Sequence, residues 1–124
     1  MARTAFEELR VYRLAEKLAD EIWNIVAPWE SFARQTVGEQ LVRAADSIGA
    51  NIAEGAGRGS YKENRRFVKI ARGSMHEVKH FLRRAYCRTL IGDQDVARLK
   101  PIMEELAPTL NAYLKSIGTR RSDN

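Results

Sequence analysis

The chain has 124 residues, with 21 Lys and Arg against 16 Asp and Glu for a formal charge of +5, and 44% of the residues are hydrophobic. That size and composition suit one domain, 1–124, with a real core, and they argue against intrinsic disorder. No apolar run approaches the ~20 residues that span a bilayer. The first residues lack a signal-peptide stretch, and the single Cys87 excludes an intrachain disulfide or a Cys-based zinc cage. A cytoplasmic protein that does not engage membranes is expected.

The first helix is predicted over about 5–27. Thr4 with Glu7 forms a Ser/Thr-x-x-Glu capping box, in which the hydroxyl accepts from a free backbone N–H and the Glu reaches back to the cap. Val11, Leu14, Ala15, Leu18, Ile22, Ile25 and Val26 recur at helical spacing, and Pro28 with the polar stretch 30–35 ends the element. A second box, Thr36 with Glu39, starts a helix over 37–56 whose seam is Val37, Leu41, Ala44, Ile48, Ile52 and Gly55. Small residues (Gly38, Ala45, Gly49, Ala50, Ala53) line its flanks, so neighbours can come close and this helix is expected to be the most enclosed. Gly55, Gly57 and Gly59 are expected to close it.

Ser60 with Glu63 starts the third helix, 61–90, whose core face reads Phe67, Val68, Ile70, Ala71, Met75, Val78, Phe81, Leu82, Ala85 and Tyr86. Gly92 suits a left-handed close, and Asp93 caps a fourth helix over 93–117 with Val96, Leu99, Ile102, Met103, Leu106, Leu110, Leu114 and Ile117 inward. Pro101 and Pro108 interrupt it, and Pro108 in particular is expected to kink it. Gly118 ends it, leaving a tail, 118–124, expected to be disordered. No segment alternates with period two over strand length. Four helices joined by short connections predict an all-α, antiparallel up-down-up-down four-helix bundle.

The charge is unevenly placed. Residues 58–92 hold ten basic and two acidic side chains, hence +8, while 1–36 sum to −1, 37–57 to −2 and 93–124 to 0. At about 100° per residue, Lys62, Arg65, Arg66, Lys69, Arg72, Lys79, Arg83, Arg84 and Arg88 fall on the face of the third helix opposite its core, with Arg58 just before them. A solvated helix face ordinarily mixes signs to gain i,i+4 pairs. This ridge, about 40 Å long at a 1.5 Å rise, repels itself and calls for phosphates or for acidic groups of another chain.

Three motifs suggest other chemistry. His76-Glu77-Val78-Lys79-His80 reads literally as the H-E-x-x-H of zinc peptidases. It lies on the basic ridge, however, with Lys79 at an inner position, and only Glu104 and Glu105 offer a third ligand, so surface histidines are the better reading. Gly55-Ala56-Gly57-Arg58-Gly59-Ser60 looks like a phosphate-cradling loop but follows a helix rather than a strand, and reads as a turn. Cys87 lacks a paired base or second thiol. No catalytic residue, metal or cofactor is assigned.

The motif Gln40-Leu41-x-Arg43-Ala44-Ala45-x-Ser47-Ile48-x-x-Asn51-Ile52-x-Glu54-Gly55, then Gly57-Arg58-x-Ser60, Phe67 and Ala71-Arg72-Gly73-Ser74-x-x-Glu77, closely resembles the four helix bundle protein family, also called the 23S ribosomal RNA intervening-sequence protein family. The opening Phe6-x-x-Leu9-x-Val11-Tyr12 looks like that family's start. The resemblance implies a left-handed bundle assembled as a ring-like homopentamer. It also implies kinship with proteins encoded inside ribosomal RNA gene insertions and with retroelement accessory proteins that bind nucleic acid and a reverse transcriptase. Glu77 belongs to the Gly-Ser-x-x-Glu pattern, so His76 and His80 alone complete the zinc-like motif; Pro101 and Pro108 depart from the family.

Gln40, Ser47, Asn51 and Glu54 share one edge of the second helix and are suited to pair with Arg43, Ser74 or Glu77 across a helix or subunit contact. The expected function is that of a non-enzymatic, oligomeric nucleic-acid-binding accessory protein, with RNA favoured over DNA. The alternative is a scaffold docking an acidic protein.

Overall fold

The apolar stripes decide the packing. In the computed structural model, which describes residues 6–118, a 3-10 turn Phe6–Glu8 leads into α1, Arg10–Val26, and all seven residues of its predicted stripe are buried. Arg13 ties that turn down through the Glu8 carboxylate at 2.5 Å. Thr4, the predicted cap, lies outside the described residues.

The second helix starts earlier than its sequence suggests. Glu30 is the N-cap, its carboxylate accepting from Phe32 N at 3.0 Å and Ala33 N at 2.9 Å, and these two N–H groups hold its pKa below the usual carboxylate value. From it a single turn, Ser31–Ala33, a π-helical turn, Arg34–Gly38, and the regular helix Glu39–Ala56 run on without a break as α2. Thr36 is therefore not a cap. It lies within the π turn, its hydroxyl donating back to Phe32 O at 2.7 Å, as Ser and Thr do inside helices. Residues 31–35 of the polar stretch expected to end the first helix are therefore the start of the second.

Gly57 is the C-cap and Gly59 adopts φ +59°, but Gly55 is a helical residue, not a terminator. A Cβ there would stand 2.6 Å from Asn64 Oδ1 and 3.0 Å from both Asn64 O and Phe67 Cβ, so its bare backbone is what lets the next helix pass. Gly38 plays the same part beside Val26, 2.8 Å from where its Cβ would be.

α3 spans Tyr61–Cys87, with Ser60 Oγ accepting from Glu63 N at 3.1 Å. The Glu63 carboxylate turns to Arg66 at 3.2 Å. The helix closes three residues earlier than a Gly92 stop would require. Thr89, at φ +59°, takes the left-handed position, with Thr89 N bonded to Tyr86 O and Leu90 N to Ala85 O, the pattern of a Schellman close. Gly92, at φ −117°, is instead the N-cap of α4, Asp93–Ser116, and Asp95 Oδ2 accepts from its N–H at 3.1 Å.

α4 continues through both prolines. Pro101 and Pro108 are exposed, as are Ala97 and Glu104, whose carbonyls lose their i+4 N–H donors to the prolines. Gly118, at φ +81°, follows the C-cap Ile117.

Buried residues of all four helices form one core. α2 lies between α1 and α3, and α4 packs chiefly on α1. Neighbours run in opposite directions. Arg10 pairs with Glu105 and Arg98 with Glu21 between α1 and α4. Arg65 bonds Ile117 O, Arg72 bonds Asn111 and Tyr86 bonds Asp93 between α3 and α4. Ser47 meets Ser74 between α2 and α3. The α3–α4 seam is the most open and widens into a groove of about 660 Å³. No helix among the described residues is long and apolar enough to cross a membrane.

Candidate nucleic-acid interface

The ridge on α3 is present but divides into two kinds of cation. In the N-terminal half the guanidinium groups have acceptors. Arg58 bonds Glu54 at 2.8 Å and Arg66 bonds Glu63 at 3.2 Å, and both lie over the Phe67 ring, 4.8 and 4.6 Å from its centroid. Such stacking is favourable on an aromatic face. Arg65 Nη1 donates to Ile117 O at 3.0 Å, closing the last turn of α4, and Arg72 Nη1 reaches Asn111 Oδ1 at 3.4 Å.

Lys62, Lys69, Lys79, Arg83, Arg84 and Arg88 differ: no ion pair among the described residues involves them. All but Arg84 are exposed. Lys79 and Arg83 also border the α3–α4 groove, whose far rim carries Lys100. Lys100 has no sequence signal linking it to the ridge, because it belongs to a helix with three basic and four acidic residues and joins the ridge only through the tertiary fold.

Three residues assigned to the core stand at its margin instead. Ile70 is 41% exposed, Tyr86 47% and Val96 39%. Ile70 and Tyr86 fall at the two limits of the apolar arc of α3, where a wheel cannot say which side a neighbour covers. The Tyr86 hydroxyl donates to Asp93 Oδ1 at 2.8 Å, and that bond, with the charge behind it, raises the phenol's pKa.

The polar motif residues form less of a network than expected. Ser47 and Ser74 share a hydroxyl contact across the α2–α3 seam, and Ser74 is the buried polar side chain of that contact. Asn51 Nδ2 donates to Ser47 O at 2.8 Å within its own helix. Arg43 pairs with Glu39, and Glu54 with Arg58, each four residues apart. Gln40 and Glu77 are exposed. The i,i+4 partner is nearer than one across the seam, so of these residues Ser47 and Ser74 are the pair that meets between α2 and α3.

His76 and His80 are exposed on α3, the His80 ring lying edge-on to Phe81 at 4.9 Å. Among the described residues no group of three metal-ligating side chains comes together. Cys87 is exposed at the end of α3. The loop at 57–60 is the turn between α2 and α3.

The family model described as "23S rRNA-intervening sequence protein" matches residues 7–112. No curated protein matches the chain.

Proposed function

The chain belongs to the 23S rRNA-intervening sequence protein family, and from that premise we propose that it is a nucleic-acid-binding protein, RNA its preferred partner, which binds rather than catalyses. The observation that carries this reading is a set of six cations, five on the 27-residue α3 and Arg88 at its C-cap, aligned on one side and without ion pairs among the described residues. Unpaired like charges held together raise the local potential, and a phosphate backbone relieves it while releasing counterions. Arg58, Arg65, Arg66 and Arg72 keep their places in the site but are partly committed to Glu54, Ile117 O, Glu63 and Asn111. The first contacts fall to Lys69, Lys79, Arg83 and Arg88.

Oligomerisation, as the homopentamer that the resemblance implies, belongs to the same proposal. Five copies at +5 each would hold +25 and repeat the ridge around a ring. Light scattering on the purified full chain measures the assembly directly.

The binding test is fluorescence anisotropy on a labelled RNA hairpin. Four phosphate contacts predict an affinity falling about 100-fold between 50 and 200 mM salt. Reversing Lys69, Lys79, Arg83 and Arg88 to Glu together should abolish binding while leaving the melting temperature within a few degrees. Binding indifferent to salt, or undiminished in the folded quadruple variant, would refute the proposal.

A further inference from the structure

The groove between α3 and α4 has a chemistry of its own. Its walls are apolar, with Leu82, Tyr86, Leu99 and Met103 among its lining, and Lys79, Arg83 and Lys100 stand on its rims. The register set by Arg72 with Asn111 and continued to the Tyr86–Asp93 bond places Lys100 on one rim level with Lys79 and His80 on the other, about one helical turn along from Arg83. Arg83 and Lys100, on opposite rims of an apolar trough, repel, and neither has an ion pair among the described residues. Such a trough is complementary to an apolar ring that carries an anion at its edge.

Tyr86 sharpens the choice of occupant. The residue is 47% exposed and lines the groove, while its hydroxyl is anchored on Asp93. The platform is thus held in place before anything binds. Asp93 and Glu104 also line the groove, so an anion is disfavoured at the Tyr86 end and one turn beyond Lys100, and favoured between Arg83 and Lys100. An aromatic body at Tyr86 with its anion a few ångströms along the groove is the shape of a nucleotide.

We infer that the α3–α4 groove receives an unpaired base of a bound strand, stacked on Tyr86, with the adjoining phosphate between Arg83 and Lys100. This rests on the ridge reading and adds to it a preference for unpaired nucleotides, which a phosphate-only surface lacks. Stacking on an aromatic side chain commonly changes affinity by roughly five- to 100-fold per base.

The test compares a 12-nucleotide RNA of adenosine and cytidine, unable to pair with itself, with an abasic strand of the same length and charge. Both are titrated with the full chain at constant salt. The base-bearing strand should bind at least fivefold more tightly. Tyr86→Ala should erase that margin without weakening abasic binding, and Tyr86→Phe should keep it. Val96→Trp, which fills the groove from a partly exposed position, should erase it too and serves if Tyr86→Ala does not fold.

Equal, salt-sensitive affinities for the two strands would overturn the groove inference and leave the ridge standing. No binding to either strand or to the hairpin would remove both. Adenosine monophosphate should compete at least 100-fold more weakly than the strand, and equal competition would assign the groove to a free nucleotide instead. An acidic amphipathic helical peptide whose binding is lost in Tyr86→Ala, with no base dependence in RNA binding, would assign the groove to a protein partner and overturn the inference.

Discussion

Replacing Gly55 and Gly73, each by alanine, asks the same chemical question at two helical sites with opposite surroundings. In a helix interior Gly→Ala gains about 1 kcal/mol from backbone entropy. At Gly73 nothing lies within 4 Å of the new methyl, so that gain should appear whole. At Gly55 the methyl would meet Asn64 Oδ1 at 2.6 Å, Asn64 O at 3.0 Å and Phe67 Cβ at 3.0 Å. The side-chain oxygen can swing away, but the carbonyl and the Cβ move only if α2 and α3 separate. Overpacking of that kind costs about 1–3 kcal/mol. The propensity gain is common to both variants, so their difference isolates the overpacking cost. In a domain of this size 1 kcal/mol is about 3–6 °C in Tm, and the two melting curves, followed by circular dichroism, should separate by about 3–18 °C with Gly73→Ala the higher. A Gly55→Ala protein as stable as Gly73→Ala would show that the helices are not held by this approach, and the reasoning would fail.

Thr89→Gly should stabilise the fold by about 1 kcal/mol, read as a higher urea midpoint, because a β-branched residue occupies the left-handed position that glycine takes without strain. Asp46→Asn should stabilise at neutral pH. Burial first, and the charge of Asp20 second, raise the folded pKa of Asp46. Its proton is therefore held more tightly in the fold, and its ionisation destabilises the fold as pH rises through that raised value. The advantage of Asn should accordingly vanish as pH falls through the carboxylate range, as melting at several pH values would show. Ser74→Ala should cost about 1 kcal/mol by leaving Ser47 unpaired, and the Ser47→Ala, Ser74→Ala double variant less than the sum of the two singles. Denaturant titration of the three proteins checks this, and additivity would deny the coupling.

Periodicity reached the core of this protein because burial on α1 and α2 follows a single stripe. All seven residues read from α1, and all six from the seam of α2, are buried. Local signals failed where two of them competed. Glu30, a less common cap than Ser or Thr, starts α2, and the π turn carries the helix through a polar stretch that resembles a linker. Thr89 takes the left-handed position although Gly92 stands close by, because the Schellman bonds depend on where α3 ends and not on which residue bends most easily. The ridge was legible as a phase on one helix. Its division was not, since Ile117 O and Asn111 come from α4 and reach Arg65 and Arg72 only after folding. The groove has no signature within either of its helices; it exists between them.

Among the arginines of the ridge, the division follows the polarity of the helix that carries them. Aligned peptide dipoles make the start of an α-helix electropositive and its end electronegative, so a cation is disfavoured in the first turn and welcome in the last. Arg58, Arg65 and Arg66 lie just before or within the opening turns of α3, and each has a carboxylate or a carbonyl to offset that field. Arg84 is in the last turn and Arg88 is the C-cap, where the field itself supplies the compensation. The fold can therefore leave those charges without an ion pair among the described residues and lose little stability by doing so. Cations held in this way are free to exchange a diffuse field for a phosphate oxygen, with no internal bond to break first.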